Sequence, residues 1–259
     1  MRNRVCLVTA CILFLVFLAG CATGGPDLPV PATPSRWEGN PVVSTEYGYL
    51  RGYPDAADTI SWKGVPFASP PVGQLRWKAP VDPEPWTGIR EAGHYSDPCV
   101  QYSPLGRGKI IGSEDCLYLN VWRPETAEQD LPVYVWIHGG GNSIGSANMV
   151  PDYEGYNLAS RGNLVFVSIN YRLGPFGWFA HPSLRTGESG DEYNDSGNFG
   201  TLDIIQALKW INRNIGFFGG DPDRVTIAGE SAGAFNVTSL LVSPQAAGLF
   251  HGAVSQSGG

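Results

Sequence analysis

The sequence has 259 residues, and its 17 Lys and Arg against 24 Asp and Glu give a formal net charge of −7 at pH 7. This length fits one domain with a sizeable core, since single cores stop growing at about 250–300 residues. A net-acidic chain without basic clusters argues against nucleic acid as a partner.

The N-terminus has the features of an export signal. Arg2 and Arg4 precede an apolar run from Val5 to Leu18, which is shorter than the ~20 residues of a membrane-spanning helix. The LAGC segment that ends at Cys21 resembles the bacterial lipobox, whose cysteine carries the lipid. We therefore expect an exported, bacterial membrane-anchored lipoprotein that faces the periplasm or the cell exterior. An ordinary signal peptide with an incidental cysteine is the alternative.

Three segments follow from this interpretation. Residues 1–20 are predicted to be the signal peptide, and residues 21–41, with five prolines, a Pro-rich tether between the lipid on Cys21 and the folded part. The folded part is predicted to begin at residue 42.

The five cysteines are distributed over the signal peptide, the cleavage point and the folded part. Cys6 and Cys11 lie in the signal peptide and Cys21 at the cleavage point, which leaves Cys99 and Cys116 in the folded part. Two cysteines in an exported protein favour a disulfide, and two free buried thiols are the alternative.

The body of the chain alternates predicted strands and helices. Two runs, 131–138 and 164–170, are almost continuously apolar, as expected for strands buried on both faces. The alternation predicts an α/β fold with a mostly parallel central sheet and helices on both faces. In chain order the predicted elements are a hairpin over Val42–Arg51, a strand over Thr59–Ala68, an irregular stretch over 69–113, strands over Leu117–Arg123 and Leu131–His138, a helix over Tyr153–Ser160, a strand over Leu164–Asn170, a helix over Phe199–Asn214 capped by Asn198, a strand over 224–228, a helix over 232–242 and a strand over Gly252–Ser257.

A triple glycine follows the predicted strand over 131–138. His138 is followed by Gly139, Gly140 and Gly141, the H-G-G-G arrangement of esterase oxyanion loops. Successive glycines let backbone amides point at one spot without side chains in the way. We expect the amides of Gly140 and Gly141 to be oxyanion donors and His138 to shape the loop. A P-loop or dinucleotide fingerprint lacks its other residues here, and a purely structural glycine turn is the alternative.

The stretch 218–233 ends in a G-x-S-x-G. Gly229 to Gly233 reads GESAG after the short apolar strand 224–228, which is the nucleophile-elbow pattern. The strand must reverse into a helix within a few residues, so Ser231 is expected in a strained conformation, and side chains at 229 or 233 would collide with neighbouring backbone. Ser231 is the predicted nucleophile, and the amide of Ala232 the third oxyanion donor. A glycine-bracketed turn without chemistry is the alternative.

These motifs together resemble the type-B carboxylesterases, the cholinesterase/carboxylesterase family. The resemblance runs from about Pro41 to the last residue and implies an α/β-hydrolase fold, ester hydrolysis through an acyl-enzyme, and no metal or organic cofactor. It also implies a disulfide between Cys116 and an upstream cysteine, and a supporting role for Glu230, for which a structural hydrogen-bonded role is the alternative. Asn142 departs from the family, which usually has an aromatic residue there, so the acyl pocket is expected to be more polar. The segments that carry the resemblance are 113–121 (SEDCLYLNV), 170–174 (NYRLG), 197–200 (GNFG) and 218–233.

The expected catalytic triad is incomplete. In this fold the nucleophile is followed by an Asp or Glu and then by a histidine, but the 28 residues after Ser231 hold no acidic residue and one histidine, His251. We therefore expect residues 42–259 to be the N-terminal part of a single α/β-hydrolase domain, incomplete at its C-terminus, and this chain alone to be inactive. His94 and His181 show no ligand spacing, so no metal site is expected.

The predicted function is hydrolysis of a small-molecule carboxylic ester on Ser231. The alternatives are a non-catalytic cholinesterase-like binding or adhesion module, and an amidase or thioesterase that uses the same elbow.

Overall fold

The structure is a computed structural model that describes residues 37–258 apart from residues 38, 104, 105, 107 and 188–191. The predicted signal peptide, the lipid site at Cys21 and most of the tether lie outside these described residues. Within the described ranges, every helix is too short or too polar to cross a bilayer.

The predicted strands and helices are all found, with their ends shifted by a few residues. The largest shift is at the strand predicted over 224–228, which begins four residues earlier, at Gly220. The first helix begins at Tyr156 instead of Tyr153, because residues 151–153 form a separate 3-10 turn. The described strands are β1 (Val42–Thr45), β2 (Gly48–Arg51), β3 (Tyr53–Asp55), β4 (Thr59–Pro66), β5 (Ile89–Glu91), β6 (Gln101–Tyr102), β7 (Ile110–Ile111), β8 (Tyr118–Pro124), β9 (Leu131–Ile137), β10 (Val165–Ile169), β11 (Gly220–Glu230) and β12 (Gly252–Gln256). The described α-helices are α1 (Tyr156–Gly162), α2 (Gly174–Gly177), α3 (Phe199–Asn214) and α4 (Ala232–Leu241).

The central sheet has seven strands in the order β12-β11-β9-β10-β8-β4-β3. The first four are parallel to one another, whereas β8, β4 and β3 pair antiparallel. The α/β-hydrolase class is confirmed, and the sheet is mixed. Within this sheet a short turn joins only the antiparallel pair β3–β4, whereas β8 pairs with β4 and β10 across long connections. The parallel half carries both glycine motifs at the ends of β9 and β11.

Alternating side chains of the sheet build a core on each face. Along β9, Val133, Val135 and Ile137 belong to the large core that also contains side chains of α3 and α4. Tyr134 and Trp136 point to the opposite face and pack on the smaller core of Trp122, Ala159 of α1 and Phe166. Helices therefore cover both faces of the sheet, as predicted.

A buried ion pair joins the segment after β10 to α3. Arg172 donates from Nε and Nη2 to the two carboxylate oxygens of Asp203 at 2.8 and 2.7 Å, and its backbone N–H donates to Oδ2 at 3.0 Å. The two side chains are 4% and 0% exposed. The segment that begins at Asn170, one edge of the candidate site, is thus fixed to the long helix.

The predicted cap of α3 is only partly correct. Asn198 occupies the N-cap position, but its side chain makes no capping hydrogen bond. Its ψ of 42° lies outside the extended region of typical N-cap residues, so its side-chain oxygen is not presented to the first amides of the helix.

Candidate active site

Ser231 lies at the sharp junction between β11 and α4. Its backbone has φ 54° and ψ −120°, a conformation that costs a non-glycine residue on the order of 1–3 kcal/mol. The surrounding structure fixes it there, since its N–H donates to the carbonyl of Gln256 at 2.9 Å and its own carbonyl accepts from Phe235 at 3.1 Å. The strained turn predicted from the motif is therefore present.

The two glycines of the motif are required by backbone crowding. A Cβ on Gly229 would lie 2.4 Å from the carbonyl carbon of Gly233, and a Cβ on Gly233 would lie 2.1 Å from the carbonyl oxygen of Ile137. Both collisions involve backbone, which cannot move aside as a side chain can. The serine is consequently held between β9, β11 and α4 with no room for larger neighbours.

The triple-glycine loop lies directly against this elbow. A Cβ on Gly139 would be 3.3 Å from the Cβ of Ser231 and 2.8 Å from the carbonyl oxygen of Glu230. Gly140 and Gly141 have φ values of 106° and 62°, which favour glycine. Because β9 and β11 are parallel neighbours, the two motifs that follow them meet at one edge of the sheet.

Three amides at this edge have no acceptor within the described part of the chain. None of the hydrogen bonds found there uses the N–H of Gly140, Gly141 or Ala232. Ala232 is the first residue of α4, where amides are left over by the helix and carry its positive end. This arrangement suits a developing oxyanion, which is the role predicted for these three residues.

Hydrogen bonds from neighbouring segments hold the triple-glycine loop in place. The hydroxyl of Tyr171 donates to the carbonyl of His138 at 2.6 Å, and Gly174 N–H donates to the carbonyl of Asn142 at 2.7 Å. The side chain of Asn142 accepts from Asn236 Nδ2 of α4 at 3.0 Å. The carboxamide of Asn142 is therefore engaged by the protein, and the expected extra polarity of the acyl pocket does not come from a free amide.

His138 is buried in this loop, where burial favours the neutral form of its ring. Its ring is 1% exposed, stacks on Tyr171 with 4.4 Å between centroids, and places Nδ1 2.8 Å from the carbonyl oxygen of Gly139. Burial lowers the pKa of His138 to about 4, while the bond to Gly139 acts in the opposite direction. These contacts agree with the predicted role of shaping the loop.

Glu230 borders the same loop. Its Oε2 would lie 2.8 Å from a Cβ on Gly139, so the carboxylate is next to the first glycine. Burial, and secondarily the charge of Glu230, raise the pKa of Tyr153. The supporting role of Glu230 stays a prediction.

The remaining histidines lie elsewhere. Val225 N–H donates to His251 Nδ1 at 3.3 Å, and Ser183 N–H donates to His181 Nδ1 at 3.2 Å. Across the described ranges, no histidine hydrogen-bonds to Ser231, and no three His, Cys, Asp or Glu side chains are grouped so as to hold a metal ion.

The predicted disulfide is present. Cys99 and Cys116 are bonded and buried, which excludes the alternative of two free thiols. The bridge closes the segment that contains the β6–β7 hairpin, and that hairpin packs beside the glycine loop.

The polar side chains that support this edge of the sheet were not predicted from the sequence. One such pair is Arg172 and Asp203. In addition, the side chain of Gln101 hydrogen-bonds to Gly145, and that of Asn170 accepts from Ala147 N–H at 2.8 Å. One signal was available for Asn170, since it is a polar residue at the end of an apolar run. For Gln101 no local signal existed, because its partner lies 44 residues away.

Comparisons with known proteins agree with this geometry. The model of the carboxylesterase family matches residues 39–259. The chain is 45% identical over 225 residues to the para-nitrobenzyl esterase of Bacillus subtilis (strain 168), and 45% identical over 237 residues to the medium-chain fatty acyl-CoA hydrolase precursor of Anas platyrhynchos. A solved PNB esterase structure, 46% identical, superimposes with a TM-score of 0.75 over 84% of this chain and 44% of that one.

The chain is shorter than these relatives. Each match covers 84% of this chain but only 43% of the Bacillus protein and 40% of the Anas protein. The chain therefore spans less than half the length of the curated relatives that it matches.

Proposed function

Because the chain belongs to the carboxylesterase family, we propose that the protein hydrolyses carboxylic esters through an acyl-enzyme on Ser231. The observation that carries the proposal is the strained Ser231 beside a triple-glycine loop, with unpaired amides at Gly140, Gly141 and Ala232. Acyl transfer requires a nucleophile, here Ser231, and hydrogen-bond donors for the oxyanion, here the three amides.

The reaction would proceed in two halves. Ser231 Oγ attacks the ester carbonyl carbon while a general base takes its proton, and the carbonyl oxygen becomes an oxyanion that accepts from the three amides. The base then protonates the leaving alcohol, and the acyl group stays on Ser231. Water, activated by the same base, releases the acid. Each oxyanion donor is worth about 10²–10³ in kcat.

The general base is proposed to come from outside residues 37–258. A serine hydroxyl needs a base within hydrogen-bond reach. His138 has Nδ1 engaged at Gly139, and His181 and His251 bond to backbone amides away from the elbow. His94 lines a different pocket, together with Lys63, Asp97 and Tyr118. A histidine oriented by a carboxylate, in the order usual for this fold, would complete the site.

An apolar pocket borders the loop and suits the organic part of an ester. Its volume is about 310 Å³, and its wall includes Val100, Leu173 and Phe176 together with Ser143 and Gly174. Gly174 donates to Asn142 of the loop, so the pocket adjoins the proposed oxyanion donors. We infer substrates with an apolar group, in keeping with the para-nitrobenzyl esterase named among the relatives.

Thioesters are the second candidate substrates. The relative from Anas platyrhynchos is named as a fatty acyl-CoA hydrolase, and a thioester needs the same nucleophile and oxyanion donors. The retained Ser231 argues against a binding or adhesion module without catalysis.

The test uses the full-length gene product with p-nitrophenyl butyrate and a butyryl thioester. Ser231→Ala is expected to lower kcat by about 10⁴–10⁶-fold. The matched control is Ser239→Ala, which removes an exposed serine of the same helix and should leave kcat unchanged. Hydrolysis of both substrates by Ser231→Ala at the rate of the unchanged protein would reject the function.

We also propose that the protein is an exported lipoprotein anchored through Cys21. The proposal is supported by the basic start, the apolar run and the LAGC segment of residues 1–21. Expressed in a bacterial host, the protein should partition into the detergent phase of a Triton X-114 extract, and Cys21→Ser should move it to the aqueous phase. Equal partitioning of the two forms would contradict the anchor.

A further inference from the structure

We propose that Gln101 is a positioning residue for this reaction, which clamps the far end of the triple-glycine loop so that its amides face the oxyanion. The proposal rests on the ester hydrolysis proposed above. It concerns a side chain that neither glycine motif includes and that lies on a different part of the chain.

The carboxamide of Gln101 pairs with both polar backbone groups of Gly145. Its Nε2 donates to the Gly145 carbonyl at 2.8 Å, and its Oε1 accepts from the Gly145 N–H at 2.8 Å. The second hydrogen of Nε2 donates to the carbonyl of Cys99 at 2.9 Å. Because two carbonyls and one N–H surround the group, only one orientation of the amide satisfies all three.

Close contacts link Gly145, which Gln101 holds, to the triple glycine. It has φ 117°, and a Cβ there would lie 2.5 Å from Nδ1 of His138 and 2.7 Å from the carbonyl oxygen of Gly139. Between the two ends, the carbonyl of Gly140 accepts from Ser143 and Ile144 at 3.1 and 3.0 Å. Residues 139–145 thus form one closed turn, and moving Gly145 would move the amides that face Ser231.

The support of Gln101 is itself rigid. Gln101 belongs to β6, which pairs with β7 opposite Ile111, and the disulfide between Cys99 and Cys116 closes the segment around them. Gln101 is 7% exposed, so water cannot replace its bonds. Without Gln101, the N–H and C=O of Gly145 would be buried without hydrogen-bond partners, which costs free energy. The loop would therefore shift to a position in which these two groups are hydrogen-bonded.

The test compares two buried glutamines in the full-length gene product. Gln101→Leu removes the clamp, while Gln206→Leu removes a carboxamide of similar burial that bonds to Phe67 and Asp82 on another side of the molecule. With a p-nitrophenyl ester, Gln101→Leu is expected to lower kcat about 10²-fold. Gln101 also lines the apolar pocket, so kcat and not KM is the readout. Binding of a trifluoromethyl ketone, whose serine adduct carries an oxyanion, should weaken by a similar factor. Gln206→Leu should change neither by more than about threefold.

A second variant separates positioning from packing. Gln101→Glu keeps an acceptor for Gly145 N–H but turns an oxygen toward the carbonyls of Gly145 and Cys99. Protonation of the introduced carboxyl would restore one donor, so kcat of Gln101→Glu relative to the unchanged protein should rise as the pH falls. Full activity of Gln101→Glu at a pH above the pKa of the introduced carboxyl would overturn the positioning role.

A third readout does not depend on activity. Hydrogen exchange of the peptide that contains residues 139–147 should quicken in Gln101→Leu and not in Gln206→Leu. Unchanged exchange would overturn the proposal even if no ester were cleaved. An active Ser231→Ala would instead reject the proposed function, so the two failures are distinguishable.

Discussion

Ser231 combines an unfavourable backbone conformation with neighbours that leave it no alternative. Its φ of 54° persists because Gln256, Phe235 and the two flanking glycines determine the turn from both sides. The motif alone predicted the strain and the need for small neighbours. It did not indicate which backbone atoms crowd the glycines, because the carbonyl of Ile137 belongs to a strand almost a hundred residues earlier in the chain.

The crowding at Gly233 predicts the effect of one methyl group. Gly233→Ala places a Cβ 2.1 Å from the carbonyl oxygen of Ile137, so β9 and α4 must separate, at about 1–3 kcal/mol or more of unfolding free energy. The matched control is Gly216→Ala, whose Cβ meets no atom within 4 Å. Urea denaturation measures both variants. Equal midpoints for the two would contradict the collision.

His138 predicts a dependence of stability on pH. Its pKa is about 4 in the folded protein against an ordinary 6.5, so the unfolded chain binds more protons between these values. The stabilising contribution is complete above pH 6.5 and is lost as the pH falls toward 4, by roughly 3 kcal/mol in all. In His138→Gln the unfolding free energy should fall less steeply over this window. Parallel profiles for the two proteins would contradict a neutral, buried His138.

At the scale of elements, sequence patterns located the strands and helices well. The apolar runs 131–138 and 164–170 became β9 and β10, and the helix Phe199–Asn214 was predicted with its observed ends. Periodicity is a local property, so it identifies such elements reliably. The contacts that join elements are not local, and neither the pair of Arg172 and Asp203 nor the bond of Gln101 to Gly145 was predicted.

The ion pair between Arg172 and Asp203 predicts a large loss of stability. Asp203→Asn leaves a buried guanidinium without its counter-charge, which is expected to cost roughly 3–5 kcal/mol of unfolding free energy. Glu91→Gln is the control, because Glu91 pairs with Arg51 at an exposed site and its loss should change little. Urea denaturation of the two variants provides the comparison. A stability of Asp203→Asn equal to that of Glu91→Gln would show that the buried pair does not fasten α3.

For the whole molecule, the arrangement of the sheet brings the two glycine motifs together. β9 and β11 are parallel neighbours although 82 residues separate the last residue of β9 from the first residue of β11, and α1, β10 and α3 lie between them in the chain. The carboxyl ends of parallel strands share one edge, which is where ligands bind in open α/β sheets. The sequence motifs predicted this meeting only through the α/β class, since strand order is not a local property of the chain. The antiparallel half of the sheet was not predicted for the same reason.

The most direct test of the account is covalent trapping of Ser231 in the full-length gene product by a fluorophosphonate, with the labelled peptide identified by mass spectrometry. If Ser231 is the proposed nucleophile, the peptide that contains residues 229–233 should be labelled, and Ser231→Ala should abolish the label. Labelling of a different serine that persists in Ser231→Ala, or no labelling of a folded protein, would contradict the central claim.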